Sequence, residues 1–323
     1  MWKGLYTTAL NAIIMTTFST PYGDLSGVEF RTLFSNGKTD GCLVTEPNSL
    51  QTPYGTLVPQ YEAEDMGRRS VKPMYFHKDG SIKSIALQSQ TALQTPVGTI
   101  PAELVTFHKS GSIKRIFSLD GKLSGFWSWK NEFALAEDIT FNSPVGPLTA
   151  KLIGLQFYES GALKSITLWP GQTLTVTTPM GEITVRKGLA FYESGAIRSF
   201  EPQKKIDIST PIGVITSWDN EPNGIHGDIN SVQLSEDGSI EALSTVDHAV
   251  HVSVKNDTEL FHPGVKNNVC GDERKVSIPM KVRFEKKRVI FHDNPKFTFD
   301  LEHTKFEIRK MNTATKEPAF SCS

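Results

Sequence analysis

From Thr20 to Thr245 the chain is built of short runs in which apolar and polar residues alternate. In the stretch Gln172–Phe200, Leu174, Val176, Ile183 and Val185 alternate with Thr, Glu and Arg. A period of two puts one set of side chains on one sheet face, so each run predicts a β-strand. Two kinds of turn separate the runs. One is Thr/Ser-Pro-x-Gly, with its proline at Pro21, Pro53, Pro96, Pro144, Pro179 and Pro211. The other follows an aromatic or leucine and is centred on Gly37, Gly80, Gly111, Gly161, Gly195 and Gly238. Proline presets φ for the second position of a turn, and glycine takes the left-handed backbone that other residues resist. The Pro-Gly turn therefore predicts a hairpin loop ending in a glycine bulge, and the Ser-Gly or Asp-Gly turn a similar one.

The two turns alternate strictly, and each proline precedes the next glycine by 16, 27, 15, 17, 16 and 27 residues. Four nearly equal spacings mark a structural period. The two long ones carry insertions near Glu62–Pro73 and Trp218–Ile229. Insertions in a repeat array map to loops on one face, often the binding face. A further Asp-Gly pair at Gly121 predicts an extra turn, followed by Phe126, Trp127 and Trp129. Such aromatics stack a ligand or cover a sheet edge.

The fold predicted is all-β: a repetitive antiparallel β-hairpin meander, open or rolled. Six units fill residues 20–244, residues 1–19 form an N-terminal cap, and 245–323 form a small C-terminal β module. Within the last, Thr313–Ser323 reads as a tail. The alternative is a six-bladed propeller-like array. Units of about 32 residues are shorter than blade repeats of ~40–50 residues, which favours the meander.

The run FYESGALKSI and its relatives FHKDGSIKSI, FHKSGSIKRI and FYESGAIRSF resemble variant MORN-type repeats of bacterial proteins, some of them described as antitoxin-like. The resemblance covers about residues 30–245, and the Thr-Pro-x-Gly turns lie outside its pattern. It implies an elongated, twisted antiparallel sheet used as a scaffold, and it brings no catalytic residue with it.

Charge narrows the partners. Lys plus Arg is 34 against 35 for Asp plus Glu, so the net charge of -1 gives no overall attraction to nucleic acid or anionic membrane. Neither is expected as a partner. No apolar run approaches the ~20 residues of a spanning helix. Three scattered cysteines, Cys42, Cys270 and Cys322, fit a reducing, cytoplasmic setting. Residues 1–19 hold one lysine and an interrupted apolar run, which reads as a cap over the array rather than a leader.

Candidate chemistry is sparse. The second insertion gathers Asp219, Glu221, His226 and Asp228, which could bind a cation or do acid–base work, with Trp127 and Trp129 as a stacking surface. The same composition also serves an exposed loop. The first insertion carries Glu62, Glu64 and Asp65, then Arg68 and Arg69, and reads as a solvated loop with weak ion pairs. His77 and His108 share a repeat position with Tyr158 and Tyr192, as expected of an exposed cross-strand site. His248, His251, His262 and Cys270 have irregular spacing for zinc, so no metal is predicted. No phosphate loop, nucleophile elbow, paired-cysteine motif or recognition helix is present. The expectation is a non-enzymatic scaffold, without cofactor, that binds another macromolecule, namely a protein. The alternative is a hydrolase or carbohydrate-binding protein with its site in the Trp218–Ile229 insertion.

Overall fold

A computed structural model describes residues 16–64, 67–121, 128–219, 227–267 and 275–311. It is almost wholly β. The first unit holds β1 (Thr16–Thr20), β2 (Gly23–Leu33) and β3 (Thr39–Val44). Then come β4 (Leu50–Thr52), β5 (Gly55–Leu57), β6 (Met74–Phe76), β7 (Ile82–Thr95), β8 (Gly98–Phe107) and β9 (Ile113–Phe117). One short helix, α1 (Trp129–Leu135), precedes β10 (Asp138–Ser143), β11 (Gly146–Phe157) and β12 (Leu163–Leu168). The later units add β13 (Thr173–Thr178), β14 (Gly181–Phe191), β15 (Ile197–Pro202), β16 (Ile206–Thr210), β17 (Gly213–Ser217), β18 (Val232–Leu234) and β19 (Ile240–Thr245). The C-terminal strands are β20 (His248–Val254), β21 (Asp257–Phe261), β22 (Gly264–Asn267), β23 (Lys275–Ile278), β24 (Met280–Glu285), β25 (Arg288–Phe291), β26 (Thr298–Asp300) and β27 (Lys305–Lys310).

The long strands work in two places at once. The first half of β11 pairs with β10, from Ser143↔Gly146 to Asp138↔Lys151. Its second half lies between β9 and β12, with Leu155 opposite Ile116 on one side and Ile166 on the other. β14 repeats this, pairing first with β13 and then with β12 and β15. The proline hairpins thus form one layer, and the Ser-Gly hairpins pair side by side into a continuous antiparallel sheet. That sheet has 18 strands in all and is not closed into a barrel. A propeller would break it into separate blades, so the propeller-like alternative is not the fold. In units two and six the insertion falls where the long strand would cross between layers, splitting it into β5 and β6 or into β17 and β18.

The corners are built alike throughout. At every Pro turn the Thr or Ser hydroxyl donates to the glycine carbonyl and accepts from the amide after proline, as at Thr178 (2.9 and 3.1 Å). The register runs straight through, Thr178↔Gly181, so these are two-residue loops without the bulge expected there. The bulge belongs to the other corner. The Gly80 amide donates to the His77 carbonyl, the His77 amide donates to Ser81, and Gly80 has φ 94°. The register then slips, leaving Lys83, Lys114, Lys164 and Arg198 as extra residues on the outgoing strands.

The position shared by histidine and tyrosine is half-buried rather than an exposed cross-strand site. Each such side chain reaches the next unit. His77 Nε2 donates to the Phe107 carbonyl (3.2 Å) and His108 Nε2 to that of Phe157 (3.1 Å), which places the proton on Nε2. Tyr158 and Tyr192 donate to Phe191 and Leu234 (2.9 and 2.8 Å). This ladder ties each glycine corner to the next unit.

Between the layers lies one apolar core. In β13, Leu174 and Val176 are buried and the threonines between them are exposed. They meet Ile166, Leu189 and Phe191 of the sheet in a single cluster. Three proline corners also rest on the glycine corner of the following unit. A methyl group on Gly161, Gly195 or Gly238 would come within 3.2, 3.2 or 2.9 Å of Pro96, Pro144 or Pro179. At Gly111 the stack opens instead into a groove of about 340 Å³ that Tyr22, Pro53 and Tyr54 line. At the far end β21, β20 and β27 form a three-stranded sheet whose Ile308 packs against Gly213.

Candidate functional site

The described residues of the two insertions lie against the sheet rather than standing away from it. The first begins as an added strand, with Gln60 N donating to the Ala86 carbonyl (2.9 Å) and Gln88 N to that of Val58 (3.0 Å). It then delivers Arg68 and Arg69 into the interior. Arg68 is held by Glu64 (2.8 Å), by Glu103 on β8 (2.9 Å) and by Glu132 on α1 (2.9 Å). Arg69 is 1% exposed and donates to the Leu87 carbonyl at 2.8 Å. Burial raises the Glu64 carboxyl, but the two guanidiniums outweigh it and hold that carboxyl below its ordinary range. The expectation of a solvated loop with weak pairs is therefore wrong for Arg68 and Arg69. Their partners are buried carboxylates, which need a cation in return.

α1 enters through the same cluster. Ser128 and Asn131 form a capping box at its start, and Glu132 accepts from the Gly121 amide (2.9 Å). At the expected Asp-Gly turn the Asp120 and Gly121 amides donate to Glu103 and Glu132, and Lys72 pairs with Asp120 (2.6 Å), while the residues that follow Gly121 lie outside the described residues.

The second insertion is pinned by groups at the crossing of β14 and β15. The Arg186 guanidinium lies 3.8 Å from the centre of the Trp218 ring and donates to the Asp219 carbonyl at 2.6 Å. Lys187 has φ 58°, rare for a residue with a side chain, and its Nζ donates to the Ile229 carbonyl (2.6 Å). Glu201 is fully buried and accepts from Ser231 N (2.8 Å) and Oγ (2.6 Å). Burial pushes the Glu201 carboxyl up, partly offset by those hydrogen bonds and by Arg186. Burial likewise pulls the Lys187 ammonium down. Gly227 approaches the strand below, its amide donating to Thr167 Oγ1 (3.0 Å). These donors and acceptors are engaged in holding the insertion down.

Of the residues singled out from the sequence, Asp228 lies between Lys164 and Arg198, 3.9 Å from each. Asp219 contributes its carbonyl to Arg186. Trp129 begins α1 and lies beside Lys130. Glu221, His226 and Trp127 lie outside the described residues. The residues at the centre of both clusters, Glu103, Glu132, Lys187 and Glu201, were not singled out. For Glu103 and Glu201 the signal is a single charge inside a largely apolar strand, as in Ile100–Val105 or Ser199–Pro202.

Among the described residues no three His, Cys, Asp or Glu side chains converge to hold a metal. His248 Nδ1 accepts from Thr216 N (3.3 Å), and Cys270 lies outside the described residues. Cys42 is free and buried, and burial pushes its thiol up to about 11. No described helix is long and apolar enough to cross a membrane. Comparison with protein families, curated proteins and solved structures gave no match.

Proposed function

We propose that this chain is a non-enzymatic β-repeat scaffold that binds another protein by strand addition at the start of its sheet. One observation carries the reading. In β8, β11 and β14 the sheet half of the strand has a neighbour on both sides. In β2 it has only β3, so among the described residues the Glu29–Leu33 edge is open. Phe30 and Leu33 on that edge are 53% and 51% exposed, and Tyr75 nearby is 38% exposed. An open, apolar edge is a template for an incoming strand unless it is guarded. Main-chain hydrogen bonds would give the affinity, and Phe30 with Tyr75 would read an apolar residue of the partner.

The test is an array of extended peptides with alternating apolar residues, probed with the intact chain and with Phe30→Lys/Leu33→Lys. The reading requires peptides that bind the intact chain and lose at least tenfold in affinity for the double variant, with thermal stability unchanged. Equal binding by both proteins would reject it.

A further inference from the structure

The glycine corners differ in what covers them. At Gly161, Gly195 and Gly238 a proline ring of the preceding unit lies against the glycine, whereas nothing lies within 4 Å of the Cβ positions at Gly80 and Gly111. The groove of about 340 Å³ at Gly111 is lined by Tyr22, Pro53, Tyr54, Phe107, Ser110 and Gly111. That volume falls within the ~300–1,000 Å³ of a ligand pocket. Pro53 and Ser110 are exposed and the two tyrosines half-buried, so the groove is open to solvent. None of these residues adjoins in sequence a segment outside the described residues.

The turn sequence accounts for the gap. The variable residue of Thr/Ser-Pro-x-Gly is Val97, Val145 or Met180 where the proline is seated, and Tyr22 or Tyr54 in the two units that stay open. The Tyr54 ring lies 5.9 Å from that of Phe107, and its hydroxyl accepts from the Ile113 amide at 3.2 Å. A phenol thus stands between the Pro53 corner and the Gly111 corner.

Three observations specify an occupant. The first is the contact itself. Three times in this chain a glycine corner takes a pyrrolidine ring. At Gly111 the same surface is bare and walled by aromatic rings. Aromatic-lined grooves take proline-rich segments in the polyproline II form, whose carbonyls have no internal hydrogen bonds. The second is a pair of donors for those carbonyls. The Tyr22 hydroxyl has no partner among the described residues, and that of Tyr54 accepts a bond without donating one. The third is charge. Two residues before the glycine stand Lys78 and Lys109 at the open corners, but Glu159, Glu193 and Glu236 at the seated ones. Both lysines are exposed, and neither is in an ion pair among the described residues. Over residues 77–83 and 108–114 the only carboxylate is Asp79, against Lys78, Lys83, Lys109 and Lys114. Ser81 N and Oγ already donate to Asp79 (3.0 and 2.7 Å). An acidic residue of a partner complements this excess of positive charge.

We propose that this groove binds an extended, acidic proline-rich peptide of a partner protein, with a proline ring on Gly111 and a neighbouring carboxylate at Lys109. It is a surface apart from the strand-addition edge, since the groove and Glu29–Leu33 share no residue.

The experiment is calorimetric titration of the intact chain with three peptides, built of repeated Pro-Pro-Glu, Pro-Pro-Lys and Ala-Ala-Glu. The first keeps ring and charge, the second reverses the charge, and the third loses the ring. Pro-Pro-Glu is expected to bind, and each of the others at least tenfold more weakly. Lys78→Glu/Lys109→Glu should weaken Pro-Pro-Glu at least tenfold without lowering the midpoint of thermal unfolding, since glutamate already stands at the seated corners. Tyr22→Phe should weaken it severalfold with the midpoint unmoved, because that hydroxyl holds nothing within the described chain. Phe30→Lys/Leu33→Lys should bind it as the intact chain does, which separates this groove from the β2 edge. No heat with millimolar Pro-Pro-Glu, equal binding of the three peptides, full affinity in the double lysine variant, or loss of binding in the β2-edge variant would each overturn the proposal.

Discussion

Alanine at Gly238 and at Gly80 separates backbone strain from contact between units. Both glycines hold the left-handed backbone of the same corner, with φ 84° and 94°. An L-residue there costs roughly 1–2 kcal/mol, which both variants pay. They differ in what the new methyl group meets. At Gly80 nothing lies within 4 Å, whereas at Gly238 the Pro179 ring lies at 2.9 Å. A proline ring cannot swing away as a flexible side chain can, so the second case adds an overpacking cost of about 1–3 kcal/mol. Gly80→Ala should therefore lose about 1–2 kcal/mol and Gly238→Ala about 2–5 kcal/mol. Urea unfolding followed by circular dichroism measures the difference, provided the slopes match wild type. Repeat arrays also lose stability locally, so amide exchange should rise most around Ser235 and Pro179 in Gly238→Ala. Equal losses in the two variants would refute the seating of the Pro179 corner on Gly238.

Three further outcomes follow from buried polar groups. Arg68→Met leaves Glu132 buried without its cation and Glu103 with Arg69 alone and should cost about 3–5 kcal/mol in thermal unfolding, while Arg309→Met should leave the midpoint unmoved. Glu201 has its carboxyl raised by burial; its stabilisation is complete below the unfolded value of 4.5 and is lost as pH rises through the higher folded value. Glu201→Gln should thus gain on wild type between pH 5 and pH 8, and an unfolding midpoint difference independent of pH would contradict this. Tyr158→Phe removes the hydroxyl that holds the Phe191 carbonyl and should cost about 0.5–1.5 kcal/mol by urea unfolding.

Much of the fold is legible in the sequence because the corners announce themselves. Proline has its φ fixed and glycine alone takes the left-handed backbone freely, so Thr-Pro-x-Gly and Phe-x-x-x-Gly mark turns along this chain. The layering is not legible in the same way. A strand such as β11 alternates identically whether it serves one layer or two, and only its partners divide it. Which corner carries the bulge is likewise decided by the register of the flanking strands. The insertions misled for a different reason. Arg68 reads as a surface residue beside Glu64, and its other partners lie 35 and 64 residues away at Glu103 and Glu132. α1 was hidden by its aromatics, although Ser128 and Asn131 spell a capping signal.

Cross-linking tests the layered stacking most directly. The Cβ of Pro144 lies 3.2 Å from the position a Cβ would take on Gly195, close to the ~3.5–4.5 Å that a disulfide spans. Pro144→Cys/Gly195→Cys, oxidised and analysed by peptide mass spectrometry, should give an intramolecular bond between those two positions. Pro96→Cys/Gly195→Cys, one unit out of step, should give none. A bond in both pairs, or only in the second, would contradict the stacking of one unit's proline corner on the next unit's glycine corner.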